Sequence, residues 1–369
     1  MLSPNFSLVI FPDSNFSIMD KKIQHQITIW LISACLLIFL MVIMGGVTRL
    51  TRSGLSMVEW HPISGIIPPI SDTAWQVEFT KYQQFPEYQK VNQNMTLDQF
   101  KFIFFWEYIH RIIGRLLGIL FIIPFIYFGI KKQLTSSLTK KLLFMFFLGI
   151  LQGLYGWYMV KSGLIDNPYV SHYRLAGHLI LAFGLMAYIL WTILDLNKNN
   201  FQKGTHFNRK KMRPILHWII AILIIQIIYG AFTAGLKAGY GWNTFPKIAG
   251  QWIPDGLFPL FPWWKNLIEH QMTVQFIHRV LGWFLCFLIP GFWRYTRGFM
   301  LTDEQNRVIT WFLYIVLFQF FLGMLTILFM VPVWLGVMHQ AGAFLLLATW
   351  VYVYFIVSNS EKKNIHAAH

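Results

Sequence analysis

Two short segments with the same pattern carry the residues of this chain that are best suited to chemistry. They are Glu107–Arg111 (EYIHR) and Gln275–Arg279 (QFIHR), and each lies inside a long apolar run. Ionisable side chains in such runs are costly unless they bind a partner. The repeated histidine, His110 in the first segment and His278 in the second, predicts a two-fold repeat built around imidazole ligands.

Two further histidines fit the same repeat, since His178 aligns with His339 as His110 aligns with His278. Each of the four falls in the first turns of a long apolar segment. Paired imidazoles from facing helices are a common axial ligand set for heme iron. The pattern therefore predicts two heme sites, His110 with His178 and His278 with His339. The alternative for any single histidine is a hydrogen-bonded core residue.

Glycine and glutamine residues recur with the histidines. Gln152 and Gly156 align with Gln319 and Gly323, and Gly45 aligns with Gly230. Small residues let a porphyrin approach the helix backbone, although the same spacing also suits ordinary close helix packing. The glycines predicted to make this room are Gly114, Gly118, Gly156, Gly177, Gly282 and Gly323.

The two arginines that follow the histidines, Arg111 and Arg279, are candidates for binding heme propionates. A buried guanidinium needs an anion, and it pairs well with carboxylates. The alternative is an internal pair with Glu107 or hydrogen bonds to backbone carbonyl groups. Both interpretations are open at this stage.

The halves differ at one position that bears on reactivity. Glu107 precedes His110 by three residues, so both side chains lie on one helix face. The matching residue is Gln275, which cannot ionise. A carboxylate beside a heme can move a proton or stabilise a cation. The difference predicts that the amino-terminal half reacts and the other half relays electrons. The alternative is a Glu107 paired only with Arg111 or Arg115.

The elements that must position these residues are membrane helices. Of the 369 residues, 56% are hydrophobic and 12% are charged, against about 25% charged in soluble domains. A span needs roughly 20 apolar residues. Eight segments qualify, which predicts an all-α integral membrane protein: 27–49, 102–129, 141–160, 173–194, 215–235, 272–293, 308–330 and 334–357.

Charge decides the predicted orientation. More than half of the 30 Lys and Arg residues lie in the tails and in the second, fourth and sixth connections. Cytoplasmic connections carry this excess, so both termini are predicted in the cytoplasm. The same rule accounts for the formal charge of +15 without a nucleic-acid partner.

The repeat divides the chain into two pseudo-symmetric four-helix bundles. The expected bounds are 27–200 for the first bundle and 201–358 for the second, with tails at 1–26 and 359–369. Residues 1–20 contain no Lys or Arg, so no signal or transit peptide is expected there.

The linked motifs resemble those of the heme A synthase family over nearly all of residues 25–357. The first long loop has no cysteine pair, so the likeness is to the proteobacterial and mitochondrial branch of that family. The matching segments are Gly45–Met57, Glu107–Arg111, Gly177–His178, Phe276–Arg279 and Met338–Gln340.

The resemblance implies an oxidoreductase acting on a CH group. In that family, a methyl group of heme O is hydroxylated and then oxidised to a hydrate, which loses water to leave the formyl group of heme A. Carried over by position, the implied roles fall into two groups. Glu107, His110 and His178 are catalytic at the substrate heme, while His278 and His339 hold heme b, with Arg111 and Arg279 as further heme-binding residues.

The resemblance also implies partners and a cellular location for the protein. Candidate partners are heme O synthase and cytochrome oxidase assembly factors, in the plasma (inner) membrane of a bacterium, with the mitochondrial inner membrane as the alternative. A homo-oligomer is one of the open oligomeric states.

Two rival functions explain the four histidines: a di-heme b-type protein that passes electrons from quinol, and a non-enzymatic heme carrier. The di-heme cytochrome does not account for the Glu107/Gln275 difference or for the match in the first loop.

Overall fold

The computed structural model describes residues 19–59, 66–163 and 168–359, and within these ranges the regular secondary structure is helical. The α-helices are, in chain order, α1 (Lys21–Leu50), α2 (Asp72–Gln83), α3 (Pro86–Lys90), α4 (Leu97–Ile130), α5 (Ser136–Gly163), α6 (His172–Leu196), α7 (His206–Gly235), α8 (Asn266–Glu269), α9 (Gln271–Thr296), α10 (Asp303–Leu328) and α11 (Val333–Ser358).

Eight of these helices are long and apolar enough to cross a membrane: α1, α4, α5, α6, α7, α9, α10 and α11. Their number and order confirm the prediction of an all-α, eight-span membrane protein. The predicted tails fall largely on residues 1–18 and 360–369, which lie outside the described residues.

The helices extend beyond the predicted apolar segments. Helix α1 begins at Lys21 rather than at 27, and α4 begins at Leu97 rather than at 102. The hydropathy pattern marks only the part that meets hydrocarbon, whereas capping residues set the true end. At α4, Thr96 and Gln99 form a reciprocal capping box.

Two helices in the first long loop were not predicted. Helix α2 starts after Ser71, whose side chain accepts the main-chain N–H of Ala74. Helix α3 follows with Pro86 in its first turn. The aromatic residues of α2, Phe79 and Tyr82, pack against the start of α4. The described part of the first loop thus contains two helices, of which α2 packs on the start of α4.

One hydrophobic cluster of buried residues runs through both predicted bundles. Helix α11 packs against α1, α6 and α7. At the α1–α11 contact, the Gln340 side chain donates to the main-chain oxygen of Val42 at 2.7 Å. The halves thus share a core, and their division at residue 200 into two related bundles stays a prediction.

Alternate spans reverse direction, so the two long loops, residues 51–96 and 236–270, lie at the same ends of the helices. We call this side the loop face. In agreement with this arrangement, Arg49 at the end of α1 lies within electrostatic reach of Tyr240 in the second long loop. At the opposite ends, the Lys141 ammonium pairs with the Asp195 carboxylate at 2.7 Å and joins α5 to α6.

Candidate heme-binding site

Each of the four predicted ligand histidines lies against a glycine of a neighbouring helix. At three of the four, a Cβ atom built on the glycine would come within 3.0 Å of the imidazole, so the absence of a side chain is what lets the ring sit there. The pairs and the distances from that Cβ position are His110 with Gly45 (3.5 Å), His178 with Gly156 (3.0 Å), His278 with Gly230 (3.0 Å) and His339 with Gly323 (2.8 Å).

The imidazoles of the carboxy-terminal half face each other. The ring centroids of His278 and His339 are 6.4 Å apart, and the ring planes are perpendicular at 88°. Imidazole nitrogen binds transition metals at about 2 Å, which together with the radii of the two rings gives about 6 Å between centroids. The separation therefore fits one metal ion held between the two rings.

In the amino-terminal half, His110 and His178 also lie near each other. The two imidazoles lie within electrostatic reach of each other, and the His178 ring stacks on Tyr155 with centroids 6.3 Å apart. The Nδ1 atom of His178 is buried without a hydrogen-bond partner among the described residues. Buried polar atoms normally have partners, so this nitrogen is suited to a bound group.

Two glutamines orient the histidines of α6 and α11. The Gln152 amide nitrogen contacts His178 Nε2 at 3.2 Å and donates to the main-chain oxygen of His178. The Gln319 amide nitrogen contacts His339 Nδ1 at 3.1 Å and donates to the main-chain oxygen of His339 at 2.8 Å. Both glutamines belonged to the predicted repeat, although no role followed from the sequence.

Glu107 ties α4 to the first long loop. Its carboxylate is buried, and it accepts the Ser56 hydroxyl and the Met57 main-chain N–H, each at 2.8 Å. Arg111 completes the arrangement with a bond of 2.6 Å to the same carboxylate. The Arg111 guanidinium also donates to the main-chain oxygens of Met57 and Glu59.

The second half repeats this arrangement with the donors reversed. The Gln275 amide donates to the main-chain oxygens of Ala238 and Trp242, at 3.1 and 3.0 Å. Arg279 donates to the main-chain oxygens of Trp242 and Thr244, each at 2.6 Å. The first loop offers donors to Glu107 and the second offers acceptors to Gln275, which gives the Glu107/Gln275 difference a structural reason independent of catalysis.

Both arginines thus bond to loop carbonyl groups, as in the second of the two interpretations that the sequence left open. Propionate binding stays a prediction for each. In support of it at Arg279, the Nε atom is buried and has no partner within the described ranges. Arg111 has a carboxylate partner already in Glu107.

A second buried carboxylate lies in the first loop and was not found from the sequence. Glu87 is 6% exposed, and it accepts the hydroxyl of Tyr82 at 3.1 Å. Burial raises the pKa of Glu87 to about 8, and the negative charge of Glu107 adds to the effect. Burial also raises the pKa of Tyr82. A single glutamate in a polar loop gives no sequence signal of this environment.

The remaining histidines stay outside these pairs where the structure describes them. His217 contacts the Tyr354 hydroxyl at 2.9 Å, and His270 contacts the Thr273 hydroxyl at 2.9 Å. His25 was predicted in a tail but lies within α1, because that helix starts before its apolar part. His61, His366 and His369 lie outside the described residues.

Comparison with known protein families shows which family this chain belongs to. The COX15-CtaA family model, described as cytochrome oxidase assembly protein, matches residues 28–351. The chain belongs to this family. The match covers all four histidines, both glutamines and both loop contacts of the COX15-CtaA fold described above.

Relatives of this COX15-CtaA member align over nearly their whole length. A protein of Nitrosospira multiformis is 47% identical over 339 residues, covering 90% of this chain and 94% of the relative. One of Flavobacterium psychrophilum is 45% identical, covering 90% and 98%. One of Wolbachia pipientis is 41% identical, covering 88% and 96%. All three relatives carry the name heme A synthase.

Proposed function

We propose that this protein is a heme A synthase, an oxidoreductase that converts a methyl group of heme O to the formyl group of heme A. The observation that carries the proposal is the pair of imidazoles in each half, every ring seated on a glycine. Relatives named heme A synthase, which align over about nine-tenths of the chain, support it.

In this proposal the two pairs have different occupants. His110 and His178 bind the substrate heme O, and His278 and His339 hold heme b as the resident cofactor. The 6.4 Å separation of the second pair supports the assignment of one iron to it. When bound, heme b supplies one-electron redox chemistry at a potential set by its ligands and their surroundings.

The residues of the chain bind, orient and shield the substrate. Arg111 and Glu107 fasten the first loop over the amino-terminal pair, and Arg279 and Gln275 fasten the second loop over the other pair. A closed loop keeps bulk water from a reacting centre. The free Nε of Arg279 is our candidate donor to a propionate of heme b.

Glu107 is the proposed acid–base residue. Oxidation of a methyl group to a formyl group releases protons, and a carboxylate next to the reacting carbon can accept one or stabilise a cationic intermediate. Glu107 lies one turn of α4 from His110 and already accepts three hydrogen bonds. Its charge is therefore fixed in place before the substrate arrives, as electrostatic catalysis requires.

The test is heme analysis in a bacterial host that makes heme O but lacks its own heme A synthase. Expression of this chain should produce heme A, detected by chromatography and mass of the extracted pigments. Unchanged heme types with a gain of quinol oxidation would favour a di-heme cytochrome b. Unchanged heme types with improved oxidase assembly would favour a heme carrier.

We place the protein in the bacterial plasma membrane with both termini in the cytoplasm. The eight membrane-spanning helices and the bacterial relatives support this location. The loop face, with both heme sites beneath it, then faces the periplasm. Heme O synthase and cytochrome oxidase assembly factors are the expected partners, in keeping with the description of the family.

A further inference from the structure

The four imidazoles are not held equally tightly by the helices behind them. A Cβ on Gly156, Gly230 or Gly323 would lie 2.8–3.0 Å from the ring it faces, which is closer than side chains tolerate without a shift. The equivalent distance at Gly45 is 3.5 Å to Nε2 of His110, an ordinary van der Waals separation. The ring of His110 thus has more room than the other three.

The hydrogen bonds made to the histidines also hold His110 less tightly. Gln152 and Gln319 each engage one ring nitrogen and the main-chain oxygen of their histidine. The Nδ1 atom of His278 is buried without a hydrogen-bond partner among the described residues, so this difference separates His110 from His178 and His339 only. Across residues 19–59, 66–163 and 168–359, the ring of His110 has no hydrogen-bond partner of this kind.

The side chains that contact the glycine one turn after His110 and after His278 differ as well. Met41 lies 3.6 Å from the Cβ position of Gly114, one turn after His110, and Gln226 lies 3.3 Å from that of Gly282, one turn after His278. The two positions are equivalent in the repeat. The side chain at this position is thus flexible and apolar in the amino-terminal half and polar in the other half.

From these differences we propose that His110 is the exchangeable axial ligand of the substrate heme, while His178 is the ligand that holds the iron longer. This inference rests on the proposed function. Close packing and polar contacts from neighbouring residues fix the orientation of a metal-bound imidazole. His178 has both, from Gly156 and Gln152, whereas the ring of His110 has neither within the described ranges. A substrate heme that enters and leaves binds and releases the two imidazoles one after the other, and the loosely held ring is the one that releases the iron first.

The experiment uses the purified full-length protein with heme b in place, loaded with heme O and then reduced. Carbon monoxide binds ferrous heme only at an axial position that the protein ligand has left. We expect carbon monoxide to bind heme O and to leave heme b unchanged. The two hemes are distinguished by chromatography of the extracted pigments and by their absorption bands.

Two matched variants identify the ligand that is released. His110→Ala should retain heme O and bind carbon monoxide at least tenfold faster than the wild type. His178→Ala should lose most of its heme O during gel filtration. An unchanged heme b spectrum shows that either variant is folded, since heme b lies in the other half.

The opposite retention pattern, with heme O lost from His110→Ala and kept by His178→Ala, would overturn the inference. Binding of carbon monoxide to heme b but not to heme O would also overturn it. A wild-type protein that takes up heme b but no heme O would instead contradict the proposed function. The two failures are therefore distinguishable.

Discussion

The Glu107 carboxylate accepts the main-chain N–H of Met57 at 2.8 Å and so joins the second membrane helix to the first long loop. The loop that covers the proposed substrate site is thereby held by the residue that we propose as its acid–base group. Any substitution of Glu107 changes both functions at once, so the tests below separate them.

The first prediction concerns Glu107→Gln. An amide places an N–H where the carboxylate accepted one, and it leaves Arg111 without its anion. We expect loss of heme A formation and a fall of about 3 kcal/mol in stability, as for a broken buried ion pair. Pigment analysis and hydrogen exchange of residues 53–59 measure the two effects.

Ser56→Ala is the matched control for that prediction. It removes one donor to Glu107 at 2.8 Å and leaves the charge in place. The expected fall in stability is about 1 kcal/mol, with faster exchange in the loop and heme A still formed. If Ser56→Ala abolished heme A formation as completely as Glu107→Gln, the loop contact rather than the carboxylate would explain the activity.

The second prediction compares alanine at two equivalent glycines. Gly230→Ala should displace the ring of His278, because the new Cβ would lie 3.0 Å from it. We expect a stability fall of about 1–3 kcal/mol and a weakened low-spin heme b spectrum. Gly45→Ala meets His110 at 3.5 Å and should be tolerated. Equal damage from both variants would argue against the difference in packing.

The third prediction concerns the orienting glutamines. Gln319→Leu roughly keeps the volume but removes the polar contact to Nδ1 of His339 and the hydrogen bond to its main-chain oxygen. Loss of such a partner weakens metal binding by roughly 10–100-fold. We expect faster heme b loss to a scavenger protein and a shifted midpoint potential. Gln152→Leu is the control, because it should affect heme O retention and leave the heme b potential unchanged.

The fourth prediction is a pH dependence of the first loop. The folded loop raises the pKa of Glu87 from 4.5 to about 8. Between these values the folded state keeps a proton that the unfolded state has released, so the stability contribution falls as pH rises. Below about 4.5 the contribution is complete, and above about 8 no further loss is expected. Hydrogen exchange of residues 79–92 across this range measures it.

Glu87→Gln should remove that dependence and stabilise the loop above neutral pH. The groups around Glu87 that share its environment are Tyr82, Glu107, Arg52 and Lys237. Glu78→Gln is the control, because Glu78 forms a partly exposed ion pair with Lys81 and should leave the slope unchanged. If the stability of the loop still falls with rising pH in the Glu87→Gln variant, another group causes the pH dependence.

Hydrophobicity and repeated motifs were enough to predict the membrane fold. Each span is long enough to cross hydrocarbon and is marked by composition alone, so the eight helices followed from the sequence. The alignment of His110 with His278 and of His178 with His339 predicted the pairs that the structure brings together. Their role as heme ligands stays a prediction.

Hydropathy alone could not predict the ends of the membrane helices or the helices of the first loop. Capping by Thr96 extends α4 into the polar region, and α2 is stabilised by packing of Phe79 and Tyr82 on α4. Neither feature leaves an apolar pattern of membrane length. The buried environment of Glu87 depends on the same packing.

The sequence by itself determined which residues are repeated and which are not, including the Glu107/Gln275 difference. Only the tertiary structure decided what these differences do, because hydrogen-bond direction and contact distance depend on neighbouring helices and loops. A carboxylate faces donors in one loop, and an amide faces acceptors in the other. The room around His110 likewise comes from the approach of α1 to α4, which no single segment encodes.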